Sequence, residues 1–200
     1  MGNEDVTAEY KEIVYNALRN LGVSNPETLS VKQMNNVGSC IARMPLSSFT
    51  ALGIWFDQDY MDSCDTNERL FQIYHEAAHY AQKHHQKLLA FSVAALGLSG
   101  IGLKLLHSYL RKQNVSHAGS ITAATATATL LAFFAGLLPY VVKLQERDAD
   151  LIAAQNLVEL GYSDIVKEYI QSLRNDASQS LTWWFSDNQQ ADYLENALRN

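Results

Sequence analysis

The sequence predicts a mainly α-helical chain with a small β element, interrupted by two apolar helices. Hydrophobic residues make up 48% of the 200 residues and charged residues only 18%, whereas an average soluble chain has about 25% charged residues. Two runs, residues 88–103 and 118–142, contain no charged side chain. Elsewhere apolar residues recur mostly at helical spacing, and only residues 45–57 are rich in β-forming residues.

The elements before residue 60 are predicted from apolar spacing and turn residues. Apolar residues recur every three or four positions from Thr7 to Leu21, which predicts a helix with Thr7 as N-cap and Gly22 at its end. Residues 25–27 form a predicted turn that leads into a short second helix near residues 29–36. The stretch 45–57 contains SSFTALGIWF and lacks helix caps, so it predicts one or two short strands.

Four further helices are predicted after residue 64. The first begins at Asp65 or Thr66, where a side chain can cap it, and runs through Leu88 or beyond. A second covers residues 144–160 and ends before Gly161. The last two cover residues 164–174 and 189–198.

The two apolar runs predict a transmembrane hairpin. They contain 16 and 25 uncharged residues, and a membrane helix needs about 20 to cross a hydrocarbon core of about 30 Å. Lysines at both ends of the shorter run can reach the membrane surface with their long side chains. The alternative is a pair of buried helices in a soluble domain. The hairpin divides the chain into residues 1–87, residues 88–142 with a polar loop near 104–117, and residues 143–200.

Charge and cysteine content argue against several classes of protein. The formal net charge is −6 and the pI about 5.4, so no nucleic-acid partner is predicted. Two cysteines, Cys40 and Cys64, are too few for a disulfide framework, so free thiols are predicted. The alternative is a single disulfide bond between them. The acidic N-terminus does not resemble a secretory signal peptide, so we expect it in the cytoplasm. Charge does not decide the membrane orientation, and the oligomeric state is not predicted.

The helix predicted after residue 65 carries two histidines at metal-ligand spacing. His75 and His79 lie four residues apart in HEAAH, so they share one helix face and can hold one Zn²⁺ ion. Glu76 lies about 100° around the helix from His75, beside the ion. Its carboxylate can accept a proton from a metal-activated water and return it to a leaving amine. The alternative is an amphipathic helix with incidental histidines on its polar side.

A catalytic zinc site has three protein ligands and one open position, so a third ligand is expected. The candidate is Glu146 in QERDAD, with Asp150 four residues further along the same helix face. Asp150 can accept a hydrogen bond from the far nitrogen of a ligand histidine. Taken alone, the two acidic residues also fit a solvated helix start. Two membrane crossings return the chain to its starting side, so a hairpin allows both halves of the site to meet.

These motifs resemble those of the CAAX-prenyl-protease and HtpX-like zinc metalloproteases, the membrane gluzincins. The similarity covers about residues 50 to 170 and rests on HEAAHYAQKHH, on ERDAD followed by LIAAQNLVELGY, and on the two apolar segments between them. It implies a zincin-like metalloprotease core, with the hairpin inserted between the two halves of the metal site. It also implies zinc bound by His75, His79 and Glu146, with Glu76 as catalytic base. The implied activity is endopeptidase cleavage of membrane-associated or misfolded proteins by a site that faces the cytoplasm.

The C-terminal region departs from this family. The family usually carries His-Pro and then Arg ahead of the last helix, whereas this chain has Asn188 near the histidine position and Tyr193 near the arginine position. Tyr193 can donate a hydrogen bond to the oxyanion of the transition state, or it can be a packing tyrosine. The departure leaves an alternative function, a zinc-binding pseudoprotease that acts as a membrane adaptor or chaperone-like partner.

Three smaller features each have more than one interpretation. His84 occupies the position of a further family histidine, five residues after His79, but His84 and His85 can also be polar residues at the membrane end of the helix. The strand within SSFTALGIWF can be an edge that pairs with an extended substrate, or a plain core strand. The aromatic cluster Trp183, Trp184 and Phe185 can form an interfacial belt, a substrate-pocket wall or part of the core.

Overall fold

The computed structural model describes residues 8–33, 40–43, 53–56, 61, 63–176 and 187–199. Within these residues the chain is mostly helical, as the sequence predicts. The chain divides into two compact units. The first combines Met1–His85 with Gln145–Asn200, and the second is Gln86–Leu144.

The first unit begins with one helix and a small sheet. Helix α1 (Ala8–Asn20) precedes Gly22, whose φ of 77° suits the end of a helix. A 3-10 turn (Pro26–Thr28) leads into strand β1 (Ser30–Gln33), which is followed by β2 (Cys40–Arg43) and β3 (Gly53–Phe56). The strand order is β1-β3-β2, with β1 parallel and β2 antiparallel to β3.

The predicted short helix near residues 29–36 is wrong for residues 30–33, which form strand β1, while residues 34–36 lie outside the described part. Burial alternates along this segment: Leu29 and Val31 are buried, whereas Ser30 and Lys32 are partly exposed. This period of two is typical of a strand with one buried face. Val31 lies opposite Ile54 of β3, and this distant pairing decides the conformation.

Strand β3 confirms the prediction of a strand within residues 45–57 for residues 53–56, while residues 44–52 and 57 lie outside the described part. It is the central strand of the described sheet and pairs on both sides. Its backbone groups therefore already have partners. The observed pairing favours the core-strand interpretation over a free edge for substrate.

The helix predicted from residue 65 through Leu88 is two helices in the structure. Helix α2 (Thr66–Ala81) begins after Asp65, whose carboxylate accepts hydrogen bonds from the backbone N–H groups of Asn67 and Glu68, both at 2.8 Å. Helix α3 (His84–Lys112) starts after a break at Lys83. Lys83 has a φ of 57°, in the left-handed region, so it ends α2 and redirects the chain.

The remaining helices follow the predicted order with longer bounds. Helix α4 (Ala118–Ala132) passes through a π-helical segment (Phe133–Leu137) into α5 (Leu138–Glu159). Gly161 follows with a φ of 88°, and the N–H of Tyr162 donates to the carbonyl of Leu157 at 2.8 Å, which closes the end of α5. Helices α6 (Ser163–Asp176) and α7 (Asp187–Arg199) complete the first unit.

The hydrophobic core of the first unit joins helices from both of its sequence segments. Helices α1 and α2 pack against each other, α2 contacts α6, and α6 packs against α7. The largest apolar side chains that are fully buried come from α1, α2, α5, α6, α7 and β3, together with Met61: Val14, Leu18, Ile54, Met61, Phe71, Ile73, Leu157, Val166 and Leu194. This core holds α2 and α5, the two helices that carry the predicted site residues.

The second unit contains the two apolar runs and the polar residues between them. The structure contains two continuous helical stretches, His84–Lys112 and Ala118–Glu159, that are long and apolar enough to cross a membrane. Their most apolar windows are 0% and 6% buried, and Leu98 and Leu131 are among the exposed side chains. This exposure favours a hairpin over a pair of buried core helices.

Candidate metal centre

Helix α2 places His75 and His79 side by side. Phe71, Tyr74 and Ala78 are buried and fix the helix against the core. His75 and His79 are one turn apart, their rings meet edge to face with centroids 4.7 Å apart, and their Nε2 atoms are 3.1 Å apart. Both side chains are largely enclosed, with 12% and 8% exposure.

Helix α5 places Glu146 beside the two histidines, although Glu146 follows His79 by 67 residues in the sequence. One carboxylate oxygen of Glu146 lies 3.2 Å from His75 Nε2 and 3.4 Å from His79 Nε2. This is the one group of three potential ligands, each with one atom within 4.8 Å of the others, among the residues that the structure describes. The three residues predicted as ligands therefore meet.

Asp150 holds the opposite side of the His75 ring. Its Oδ1 lies 2.6 Å from His75 Nδ1, and its side chain is only 1% exposed. The hydroxyl of Tyr169 on α6 donates to both carboxylate oxygens at 3.1 Å, and the side-chain amide of Gln190 on α7 donates to Oδ2. Donors from three helices thus converge on one buried carboxylate. Sequence reasoning predicted the bond from a histidine to Asp150 but missed Tyr169 and Gln190, which carry no local signal.

The electrostatics of the cluster favour a positive charge at its centre. Burial of the His75 ring acts to lower its pKa, but the hydrogen bonds to Asp150 and then Glu146 outweigh burial and raise the pKa of His75 to about 10. Burial acts to raise the pKa of Glu146, but its contacts with His75 and His79 hold the pKa well below its ordinary value. The carboxylates therefore stabilise a cation at this position, either a proton or a metal ion.

The donor set fits a metal ion. A neutral His75 that donates its Nδ1 proton to Asp150 carries a lone pair on Nε2, and this atom faces the oxygen of Glu146 and the Nε2 of His79. When the proton of His79 is on Nδ1, its Nε2 is an acceptor as well, and the three acceptors can share one metal ion. Ligand atoms about 2.0–2.1 Å from a tetrahedral zinc ion lie about 3.3–3.4 Å apart, and the observed separations of 3.1, 3.2 and 3.4 Å are close to that spacing.

The other predicted residues have different surroundings. Glu76 is buried beside His75 on α2, with 8% exposure.

Tyr193 packs against the core, and the guanidinium of Arg147 lies 3.9 Å from the centre of the Tyr193 ring. These contacts suit the packing interpretation. Asn188 is exposed. His84 is buried at 2% exposure, and His85 is partly exposed. Trp183, Trp184 and Phe185 lie outside the described residues.

Comparison with known proteins supports a single family. Neither a search of curated proteins nor a search of solved structures found a match. The model of peptidase family M48 matches residues 9–177, which include all of the clustered histidines and acidic residues and both apolar helices. The match covers well over half of the chain, so the chain belongs to peptidase family M48, a family of metallopeptidases related to the HtpX-like and CAAX-protease enzymes.

Proposed function

We propose that the chain is a zinc-dependent endopeptidase whose metal ligands are His75, His79 and Glu146. The observation that carries the proposal is the meeting of these three side chains, with ligand atoms 3.1–3.4 Å apart, in a chain of a metallopeptidase family. Two histidines and one carboxylate are a typical set for catalytic zinc, because they leave the fourth position for water or substrate.

Glu76 is the proposed general base. A bound zinc ion would polarise the scissile carbonyl and make water more acidic. Glu76 follows the ligand His75 directly and is 8% exposed, so its carboxylate lies next to the ligand pair and largely out of bulk water. Glu76 takes the proton from the attacking water and passes it to the leaving amine, so one carboxylate serves both halves of the reaction.

Asp150 is the proposed orienting residue for His75. Its hydrogen bond fixes the proton of His75 on Nδ1 and leaves Nε2 free to bind metal. The donors Tyr169 and Gln190 hold Asp150 itself in place. Tyr193 remains the candidate donor to the oxyanion. A Tyr193→Phe variant would then lose about 10²–10³-fold in kcat, whereas a purely packing tyrosine would leave kcat close to the parent value.

The apolar helices suggest where the enzyme works. We propose that they cross the bilayer twice as a hairpin, with the metal centre facing the cytoplasm, and that the substrates are membrane-associated or misfolded proteins. The exposure of their apolar windows supports this, because about 20 uncovered apolar residues per helix are costly in water and favourable in lipid.

The first experiment combines metal content with proteolysis. We expect detergent-purified protein to contain about one zinc per chain and to cleave an unfolded fluorescent protein substrate. Glu146→Ala should lose the zinc. Glu76→Gln should keep the zinc and lose cleavage, while the control Glu68→Gln, an exposed glutamate on the same helix, should keep both.

Each result has a separate meaning. Absence of zinc from the parent, purified without chelator, would refute the metal centre. Substantial cleavage by Glu76→Gln would refute the role of that residue. Zinc without cleavage of any unfolded substrate by the parent would favour the pseudoprotease alternative, which family membership does not favour.

Membrane topology has its own experiment. The parent should stay in the membrane after alkaline carbonate extraction, whereas a soluble protein would be released. In a background with Cys40 and Cys64 changed to serine, Asn114→Cys between the two apolar helices should react with an impermeant maleimide added outside intact cells. The matched Asn175→Cys on α6 should react only after lysis. The opposite labelling pattern would place the metal centre outside the cytoplasm.

A further inference from the structure

His84 is a buried histidine that the proposed reaction does not use. It lies five residues after His79, and on a continuous helix such residues point about 140° apart. The left-handed conformation of Lys83 breaks the helix between them. The two rings consequently meet at right angles, with centroids 4.9 Å apart and an interplanar angle of 82°.

The contacts of His84 connect His79 to a second carboxylate. His84 Nδ1 lies 3.0 Å from His79 Nδ1, and His84 Nε2 lies 3.2 Å from Oδ2 of Asp148. The side-chain amide of Gln145 also donates to the backbone carbonyl of His84 at 3.2 Å. The first turn of α3 is thus attached to the part of α5 that carries Glu146. All of these residues belong to the first compact unit.

Only one arrangement of protons suits both metal binding and these contacts. If His79 binds metal through Nε2, its remaining proton is on Nδ1, which then donates to His84 Nδ1. That nitrogen of His84 must carry a lone pair, so the proton of His84 is on Nε2 and is donated to Asp148. A donor–acceptor chain therefore runs from His79 through His84 to Asp148.

We propose that His84 and Asp148 are positioning residues that orient His79 for metal binding, an inference that rests on the proposed zinc site. The two ligand histidines are then held in different ways. His75 donates directly to the buried carboxylate of Asp150, whereas His79 donates to a second histidine, which in turn donates to a carboxylate that is half exposed. Hydrogen-bond partners of this kind fix the ring and its tautomer, and their loss costs about 10–100-fold in metal affinity.

The test measures zinc affinity of the full-length, detergent-purified protein by competition with a chromophoric chelator. We expect His84→Phe, which fills the space without an acceptor, to bind zinc about 10–100-fold more weakly. His84→Asn places an amide oxygen near the position of Nδ1 and should recover most of the affinity. The control His107→Phe replaces a histidine of the second unit, which contacts Thr122, and should bind zinc like the parent.

Two further measurements separate positioning from a general loss of structure. Long-range ¹H–¹⁵N spectra of the zinc-loaded parent should give the Nδ1–H tautomer for His79 and the Nε2–H tautomer for His84. Because Asp148 acts through His84, Asp148→Ala should weaken zinc binding in the parent but not further in the His84→Phe background. An equal loss of zinc affinity in both backgrounds would contradict the proposed hydrogen-bond chain from His79 through His84 to Asp148.

The failure of this inference is distinguishable from failure of the proposed function. A parent that binds no zinc refutes the proposed metal centre itself. A parent that binds zinc, together with a His84→Phe variant of equal affinity, leaves the metal centre intact and overturns the positioning role. Opposite tautomers in the spectra would also overturn it.

Discussion

Replacing Tyr169 with phenylalanine removes the hydroxyl group that donates to the carboxylate of Asp150. The hydroxyl donates to both carboxylate oxygens at 3.1 Å. The ring stacks on Phe71 with centroids 3.7 Å apart, a contact that phenylalanine preserves. His75 and Gln190 continue to donate to Asp150. The variant therefore removes this donor and keeps the other two donors to Asp150 and the stacked ring.

The size of the effect follows from the burial of the acceptor. A hydrogen bond to a charged group contributes about 1.5–3 kcal/mol, and Asp150 is 1% exposed, so water does not readily replace the lost donor. We expect the free energy of unfolding to fall by about 2 kcal/mol. For a chain of this size that corresponds to a Tm about 4–8 °C lower.

The assay is thermal unfolding in detergent, followed by ellipticity, with and without added zinc. The control is Tyr162→Phe, because Tyr162 belongs to the same unit and is 49% exposed. Its Tm should change little, since surface substitutions usually stay within about 0.5 kcal/mol. If Tyr169→Phe unfolds at the same temperature as the Tyr162→Phe control, the hydroxyl does not stabilise Asp150 and the reasoning is wrong.

Three further predictions concern the backbone and pH. Lys83→Gly should raise the Tm, because a left-handed conformation costs a non-glycine residue about 1–2 kcal/mol, whereas Lys87→Gly inside α3 should lower it; a lower Tm for Lys83→Gly would contradict the strain. Gly53→Ala should lose about 1–3 kcal/mol in chemical denaturation, because the added Cβ would lie 2.8 Å from the carbonyl oxygen of Ser30, and unchanged stability would show that the strands separate easily. When a chelator keeps the site free of metal, the folded protein binds the His75 proton more tightly than the unfolded chain does. The contribution of this proton to the free energy of unfolding should therefore be complete below about pH 6.5 and should decline as the pH rises through about 10. A plot of the parent Tm against pH that is as flat as that of His75→Gln would contradict this prediction.

The helical part of the fold was predictable because its signals are local. Asp65 caps α2, and Gly161 follows the end of α5 in a left-handed conformation. Both features depend on residues only a few positions apart. The same holds for the pairs His75–His79 and Glu146–Asp150, since the helical repeat alone puts residues four apart on one face. The absence of charge from the apolar runs is visible without any structure.

The elements that were missed or misassigned depend on distant partners. Residues 30–33 form a strand because β3, more than 20 residues later, pairs with them. Strand β2 was not predicted, and it pairs with β3 as well. The break at Lys83 was also missed, since lysine is a good helix former and carries no stop signal.

The sequence by itself determined the helices, the apolar runs and the residue types of the metal centre, because periodicity, caps and side-chain chemistry act over one or two turns. Only the tertiary structure decided which side chains support that centre. Asp150 meets His75 across 75 residues and Gln190 across 40, and His84 meets Asp148 across 64. Such contacts form when separate helices pack on one core, and the spacing of residues along the chain does not contain that information.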